Sequence, residues 1–208
     1  FILALQENLL ADPKDWTLVH TPLHFIILSY VTLIVKDPDN LRLLFCIFSA
    51  ILPFIFFKIF KINKNYLSTN NILILSSCIF FLPSFRYTSI WANDLITSSI
   101  FFSLSIFYFK KWELDQTKKI GINIFLQFLF LVLAVYTRQY FAVFFAYFLY
   151  RYYVRIKLKS FIILFLLCII SSIPVLLYTY YFPELLSEQH ISLKAYSYFL
   201  LGNSSIMS

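Results

Sequence analysis

Across 208 residues the chain is 61% hydrophobic and 21% aromatic but only 13% charged, where soluble domains carry about 25% charge. A compact soluble domain of this length has too little interior for so much apolar side chain, which excludes an ordinary soluble enzyme. With only two glycines, Gly121 and Gly202, the chain has no Walker loop, dinucleotide fingerprint or GxxxG packing face. The net charge of +7 sits in short Lys/Arg clusters between apolar runs, which encodes membrane topology rather than nucleic-acid binding.

Residues 1–40 open the chain with the acids Glu7, Asp12 and Asp15, then Trp16-Thr17-Leu18-Val19-His20-Thr21-Pro22-Leu23-His24. The apolar stretch 22–35 is too short to span and is expected to lie as an interfacial helix, with Pro22 at its first position. Six spans are expected at 41–60, 71–85, 95–109, 120–136, 139–150 and 160–181. Pro53 and Pro174 fall inside spans and are expected to kink them. The loops after the first, third and fifth spans carry Lys58, Lys61 and Lys64, then Lys110, Lys111, Lys118 and Lys119, then Arg151, Arg155, Lys157 and Lys159. Of the acids, only Glu113 and Asp115 accompany them. Those loops are expected to face the cytoplasm. The segment 1–40, the turn 85–94, the 137–139 junction and the tail 182–208 then lie on the outer side.

The expected fold is therefore all-α: a polytopic integral membrane helical bundle, forming one domain over 1–208. With Phe1 at its start and no signal-peptide pattern, the chain is expected to be truncated at both ends. Cys46, Cys78 and Cys168 lie within apolar runs without metal-ligand spacing and are expected to be packed or lipid-buried thiols.

Charge near membrane depth is costly and is usually functional. Arg42, Arg86, Asp94 and Arg138 all fall at the expected outer side. Three guanidiniums converging there suit a phosphate, because each offers a planar bidentate donor. The plainer alternative has Arg42 and Arg138 snorkelling to the interface and Arg86 paired with Asp94. His20 and His24 have the spacing of half a metal site but lack an acidic partner, so packing or hydrogen bonding is expected and no metal ligand is assigned.

Taken together, His20-Thr21-Pro22-Leu23, Leu41-Arg42-Leu43, and Pro83 followed by Arg86 and Asp94 resemble the GT-C superfamily of polyprenyl-phosphate-sugar-dependent glycosyltransferases. The resemblance covers most of residues 1–140. It is to the bacterial branch related to protein O-mannosyltransferases and lipopolysaccharide-core galacturonosyltransferases, whose pattern has H-x-P-L or H-P-P-L, a later L-R, and an outer turn with Arg and Asp. Thr21 replaces the first proline of H-P-P-L. The family's catalytic Asp-Glu pair has no counterpart before His20, so the resemblance implies that it lies upstream of Phe1 and that this stretch alone is inactive. Arg138-Gln139 also resembles the eukaryotic dolichyl-phosphate-glucose α-1,2-glucosyltransferase, although Tyr140-Phe141 stands where that family has Thr-Asn. Abundant Ile, Phe, Lys and Asn suggest an AT-rich genome and a bacterial source.

The resemblance implies sugar transfer from a polyprenyl-phosphate donor to a lipid-linked glycan or protein acceptor, on the periplasmic or luminal side. The membrane would be the bacterial inner or plasma membrane, or the endoplasmic reticulum of a eukaryote. His20, Arg42, Arg86, Asp94, Arg138 and Gln139 are the expected substrate-binding residues. No cofactor is fixed by the residues, and a divalent metal stays open. Besides the sugar donor and the acceptor, the expected partner is the lipid bilayer, and nucleic acid is not one. From a different class, a transporter or flippase would use the same charges to line a path. Such proteins show repeats and broken helices at the midplane, and no repeat is evident here.

Overall fold

The computed structural model describes residues 23–62, 68–91, 93–115, 121–156 and 158–181. Readings that concern His20, Glu7, Asp12, Asp15, several loop lysines and the tail beyond 181 lie outside these residues. Among the described residues every element is helical, which makes the fold all-α. The helices are α1 (Leu23–Ile34), α2 (Pro38–Ser49), α3 (Ile51–Ile62), α4 (Thr69–Ser77), α5 (Pro83–Ile90), α6 (Asp94–Leu114), α7 (Ile122–Thr137), α8 (Val143–Arg155) and α9 (Leu158–Tyr181). Short 3₁₀ turns, Cys78–Phe81 and Gln139–Ala142, precede α5 and α8.

Proline and capping residues set most of the boundaries. Asp37 caps α2 by accepting from the Asp39 and Asn40 amides, with Pro38 as the first helical residue. Pro53 offers no N–H to the Ser49 carbonyl, and the ladder gives way just before it, where the Ala50 amide turns back to Ile47 O at 3.1 Å. The helix is therefore locally broken before Pro53, although Pro38–Ile62 runs on as one helical stretch. Pro174, in contrast, lies within an unbroken α9.

Two expected boundaries change. The stretch 71–85, read as one span, is interrupted at Leu82, which is extended (φ −70°, ψ 121°) because a residue before proline is pushed out of the α region. Thr69–Phe81 and Pro83–Ile90 meet at a 65° bend. The expected outer turn 85–94 is helical up to Ile90, so the true turn is confined to the residues just before Asp94.

The longest pairing is the antiparallel hairpin of α6 and α7. Asp94 bonds Arg138 across 44 residues of sequence, and Ser105 bonds Gln127 across 22, so both bonds obey one antiparallel register. That register sets Ser98 level with Ala134, both fully buried, and small residues there let the two backbones approach. Around this hairpin lie three apolar clusters. Leu28, Leu41 and Phe45 join α1 to α2. Leu52, Ile55, Phe85, Ile96 and Ile100 join α3, α5 and α6. Phe109, Trp112, Phe128, Leu131, Phe148, Tyr152 and Leu164 join α6 through α9.

Among the described residues, one helical stretch, Pro38–Ile62, is long and apolar enough to cross a membrane, and a second qualifies if the bent pair counts as one span. Helix α7 and the Leu158–Pro174 part of α9 are apolar but shorter. Cys46 and Cys78 are exposed, and Cys168 is half-buried.

Candidate functional site

A two-bond ion pair between distant parts of the chain lies at one end of the α6–α7 hairpin. Asn93 caps α6 through its side chain, which accepts from the Leu95 amide at 2.9 Å, and this fixes Asp94 as the first helical residue. At the far end of α7, Arg138 leaves helical geometry (φ −145°, ψ 118°) and begins the 3₁₀ turn. Its Nε donates to Asp94 Oδ2 at 2.9 Å and its Nη2 to Oδ1 at 3.1 Å. The Asp94 side chain is 7% exposed and that of Arg138 20%. Each charge also suits its helix end: the carboxylate meets the positive N-terminus of α6, and the guanidinium the negative C-terminus of α7.

This pairing replaces the Arg86–Asp94 alternative. Arg86 is exposed on α5 and makes no salt bridge among the described residues. Arg42 pairs with Asp39 at 3.3 Å, in the open, and its guanidinium lies 4.9 Å from the Trp91 ring centre. Since Trp91 belongs to the α5–α6 turn, Arg42 shares the end of the bundle that holds Asp94 and Arg138. Gln139 is half-buried beside Arg138. Of the two histidines, only His24 is described. It is 2% exposed, hydrogen-bonded through Nδ1 to Thr97 Oγ1 at 3.1 Å, with its ring edge-on to Phe45. Helix α1 is thereby held against α6, while Tyr30, Leu33 and Ile34 stay exposed.

A cavity of about 260 Å³ opens between α3, α5, α6 and the second 3₁₀ turn, with Phe56, Ile79, Leu95, Ile96, Phe102 and Phe141 in its wall. Leu95 and Ile96 follow Asp94 directly, and Phe141 is one 3₁₀ turn from Arg138. Among the described residues no charged side chain lines it. Ser99 and Ser103, one turn apart on α6, present hydroxyls to it, and neither makes a hydrogen bond to another described residue. Among the described residues no group of three or more His, Cys, Asp or Glu could hold a metal ion.

Two further groups have partners that the sequence does not indicate. At the opposite end of α6, Glu113 accepts from Lys110 Nζ at 2.7 Å and from Arg151 Nη2, and pairs by charge with Arg155 Nη1 at 3.0 Å. Desolvation alone would raise the Glu113 pKa, but the Lys110 hydrogen bond and the charges of Lys110, Arg151 and Arg155 outweigh it and hold the carboxyl below its usual value. Deeper in the bundle, Tyr152 OH donates to Gln127 Oε1 at 3.2 Å, and Gln127 Nε2 donates to Ser105 Oγ at 3.1 Å. Trp112 Nε1, buried nearby against Tyr152, has no partner among the described residues. An acid among cations and the single Gln within an apolar run are visible signals, but only the packing of the helices identifies their distant partners.

No protein-family model, curated protein or solved structure matches the chain.

Proposed function

We propose that the protein is a polytopic membrane glycosyltransferase that takes its sugar from a polyprenyl-phosphate donor, using the Asp94–Arg138 end of the bundle. The observation that carries this reading is a braced guanidinium at the end of the bundle where Leu95, Ile96 and Phe141, close to the pair in sequence, line an apolar cavity. Asp94 occupies Nε and one terminal nitrogen of Arg138, which fixes the plane of the group and leaves the other terminal nitrogen for a further acceptor. A lipid-phosphate sugar needs this juxtaposition: a cation for its phosphate and an apolar recess for its first isoprene units. Ser99 and Ser103 add two hydroxyl groups within the recess.

The membrane reading draws on the surface. On α9, Ile162, Ile163, Phe165, Leu166, Leu167, Ile169 and Ile170 are all exposed, and Leu164 is buried. A helix apolar on every side and covered on one suits a lipid solvent. Helix α6 has 21 residues, or about 31 Å, close to the ~30 Å hydrocarbon core, and its charges lie at its two ends.

In the transfer step the acceptor oxygen forms a bond to the anomeric carbon as the bond from that carbon to the phosphate oxygen breaks. The electron pair leaves with the lipid phosphate, and the acceptor proton passes to a carboxylate. Arg138 meets the charge that develops on the leaving phosphate. Both Asp94 oxygens already accept from Arg138, so Asp94 positions that group and does not serve as the base.

The test is transfer from a labelled polyprenyl-phosphate sugar by membranes carrying the full-length protein. Arg138→Lys keeps the charge but loses the fork, and turnover is expected to fall roughly 10-fold or more, in line with a charge-assisted hydrogen bond of about 1.5–3 kcal/mol. No transfer by the wild type overturns the reading; full activity in Arg138→Lys removes Arg138 from the site. Topology is tested separately in a cysteine-free background. Tyr87→Cys is expected to label with an impermeant thiol reagent in intact cells and Leu114→Cys only after permeabilisation, and the reverse pattern inverts the orientation.

A further inference from the structure

The Glu113 cluster is charged out of proportion to any structural need. One carboxylate binds three cations, Lys110, Arg151 and Arg155, so the group keeps an excess of positive charge. Arg151 and Arg155 stand one turn apart on α8. Arg151 donates from one terminal nitrogen to Glu113, Arg155 brings one to within 3.0 Å as an ion pair, and neither makes another hydrogen bond among the described residues. Their side chains are about a third exposed, at 32% and 33%. Two neighbouring guanidiniums, held by a shared carboxylate and partly exposed, can meet the oxygens of a phosphate group. Tyr147, Tyr150 and Tyr153 recur along the same helix and are exposed, as aromatic residues are at the headgroup level of a bilayer.

We infer that Arg151 and Arg155, steadied by Glu113 and joined by Lys110, bind the phosphate of an anionic phospholipid headgroup at the end of the bundle opposite Asp94 and Arg138. The inference rests on the membrane reading but is independent of sugar transfer. Free inorganic phosphate shares the chemistry, but it has no apolar chains to lie along the exposed faces of α8 and α9. A headgroup bound here would tie α6 to α8 through a contact that neither helix makes alone.

The experiment measures lipid uptake by the purified full-length protein in zwitterionic detergent micelles, with phosphatidylglycerol, phosphatidylcholine or inorganic phosphate added. The wild type is expected to favour phosphatidylglycerol over phosphatidylcholine by about tenfold or more, the effect of one charge-assisted hydrogen bond. Arg151→Gln/Arg155→Gln is expected to abolish that preference. Lys58→Gln/Lys61→Gln, which removes equal charge from the same expected face, is expected to leave it within about twofold, the residual effect of diffuse surface charge. Because the first double variant could misfold, Arg155→Lys is the second probe: the preference drops several-fold while the unfolding midpoint in phosphatidylcholine micelles is unchanged. Equal losses in the two double variants, no phosphatidylglycerol preference in the wild type, or equal binding of inorganic phosphate would each overturn the proposal. A wild type that inserts into phosphatidylcholine vesicles without anionic preference sinks only this inference, whereas failure to insert at all sinks the membrane reading with it.

Discussion

The two ends of α6 handle charge in opposite ways. At its start, one carboxylate meets one guanidinium through two hydrogen bonds, 2.9 and 3.1 Å long, and both partners also gain from the helix ends on which they sit. At its finish, Glu113 lies against the unfavourable C-terminal end of the helix and is held ionised by three cations. The first arrangement is neutral, largely buried and closed to further partners except at one nitrogen. The second is positive, more exposed and open to anions. A balanced pair fixes the register of two helices, whereas an unbalanced cluster advertises a surface.

The sharpest way to break that contrast is to unpair the closed end. Asp94→Ala leaves Arg138 charged with its side chain only 20% exposed, and stranding one member of a buried pair typically costs about 3–5 kcal/mol. Unfolding of the purified protein in detergent is expected to show a loss near the lower end of that range, because Arg138 retains some access to water. Asp94→Ala/Arg138→Met is expected to recover much of it. A double variant as unstable as the single one would mean that the pair holds more than its own charge.

Glu113→Gln is the matching change at the open end, with an expected cost of about 1–2 kcal/mol, smaller because its cationic partners are a third or more exposed and screened by solvent. The same carboxylate gives this end a pH signature. Its folded pKa lies below the unfolded one, so its contribution is complete above the usual glutamate range, near 4.3, and disappears as pH falls through the lowered folded value. Acid titration of unfolding should therefore separate wild type from Glu113→Gln above that range and bring the two together below it. A gap that persists at the lowest pH would place the stabilisation in packing instead of charge.

How much of this is legible in the sequence follows from the reach of each signal. The cores of α6 and α7 are readable because charges and Gly121 bracket their apolar runs. Proximity in sequence points Asp94 to Arg86, its near neighbour, and that is the wrong partner: a hairpin of two apolar runs puts the residue before the first beside the residue after the second. The break at Leu82 escapes a reading that counts Pro83 within a span, because the effect of a proline falls on the residue before it. His24 looks like the lesser half of a histidine pair. Its role depends on Thr97, a contact across 73 residues that no local pattern encodes. The serine hydroxyls of the cavity are invisible for the same reason: Ser99 and Ser103 differ from the packed Ser98 and Ser105 only in the face of α6 they occupy.

The smallest expected effect tests whether closeness alone makes a charge pair matter. Arg42 Nη1 lies 3.3 Å from Asp39 Oδ1, barely farther than the Arg138 contacts, but the side chains are 48% and 84% exposed. In water the attraction between two such charges is weakened, salt weakens it further, and the ordering of two mobile side chains offsets most of what remains. Asp39 also sits in the first turn of α2, where a negative charge adds a few tenths of a kcal/mol by helix polarity. Asp39→Asn is therefore expected to cost about 0.5 kcal/mol or less, and less again as ionic strength rises. Arg42 is expected to keep its place over Trp91, because the ring attracts the cation whether or not Asp39 is charged. A loss in Asp39→Asn comparable to that in Glu113→Gln, unmoved by salt, would mean that water is excluded from this end of the bundle. Arg42 would then count with Arg138 among the buried charges.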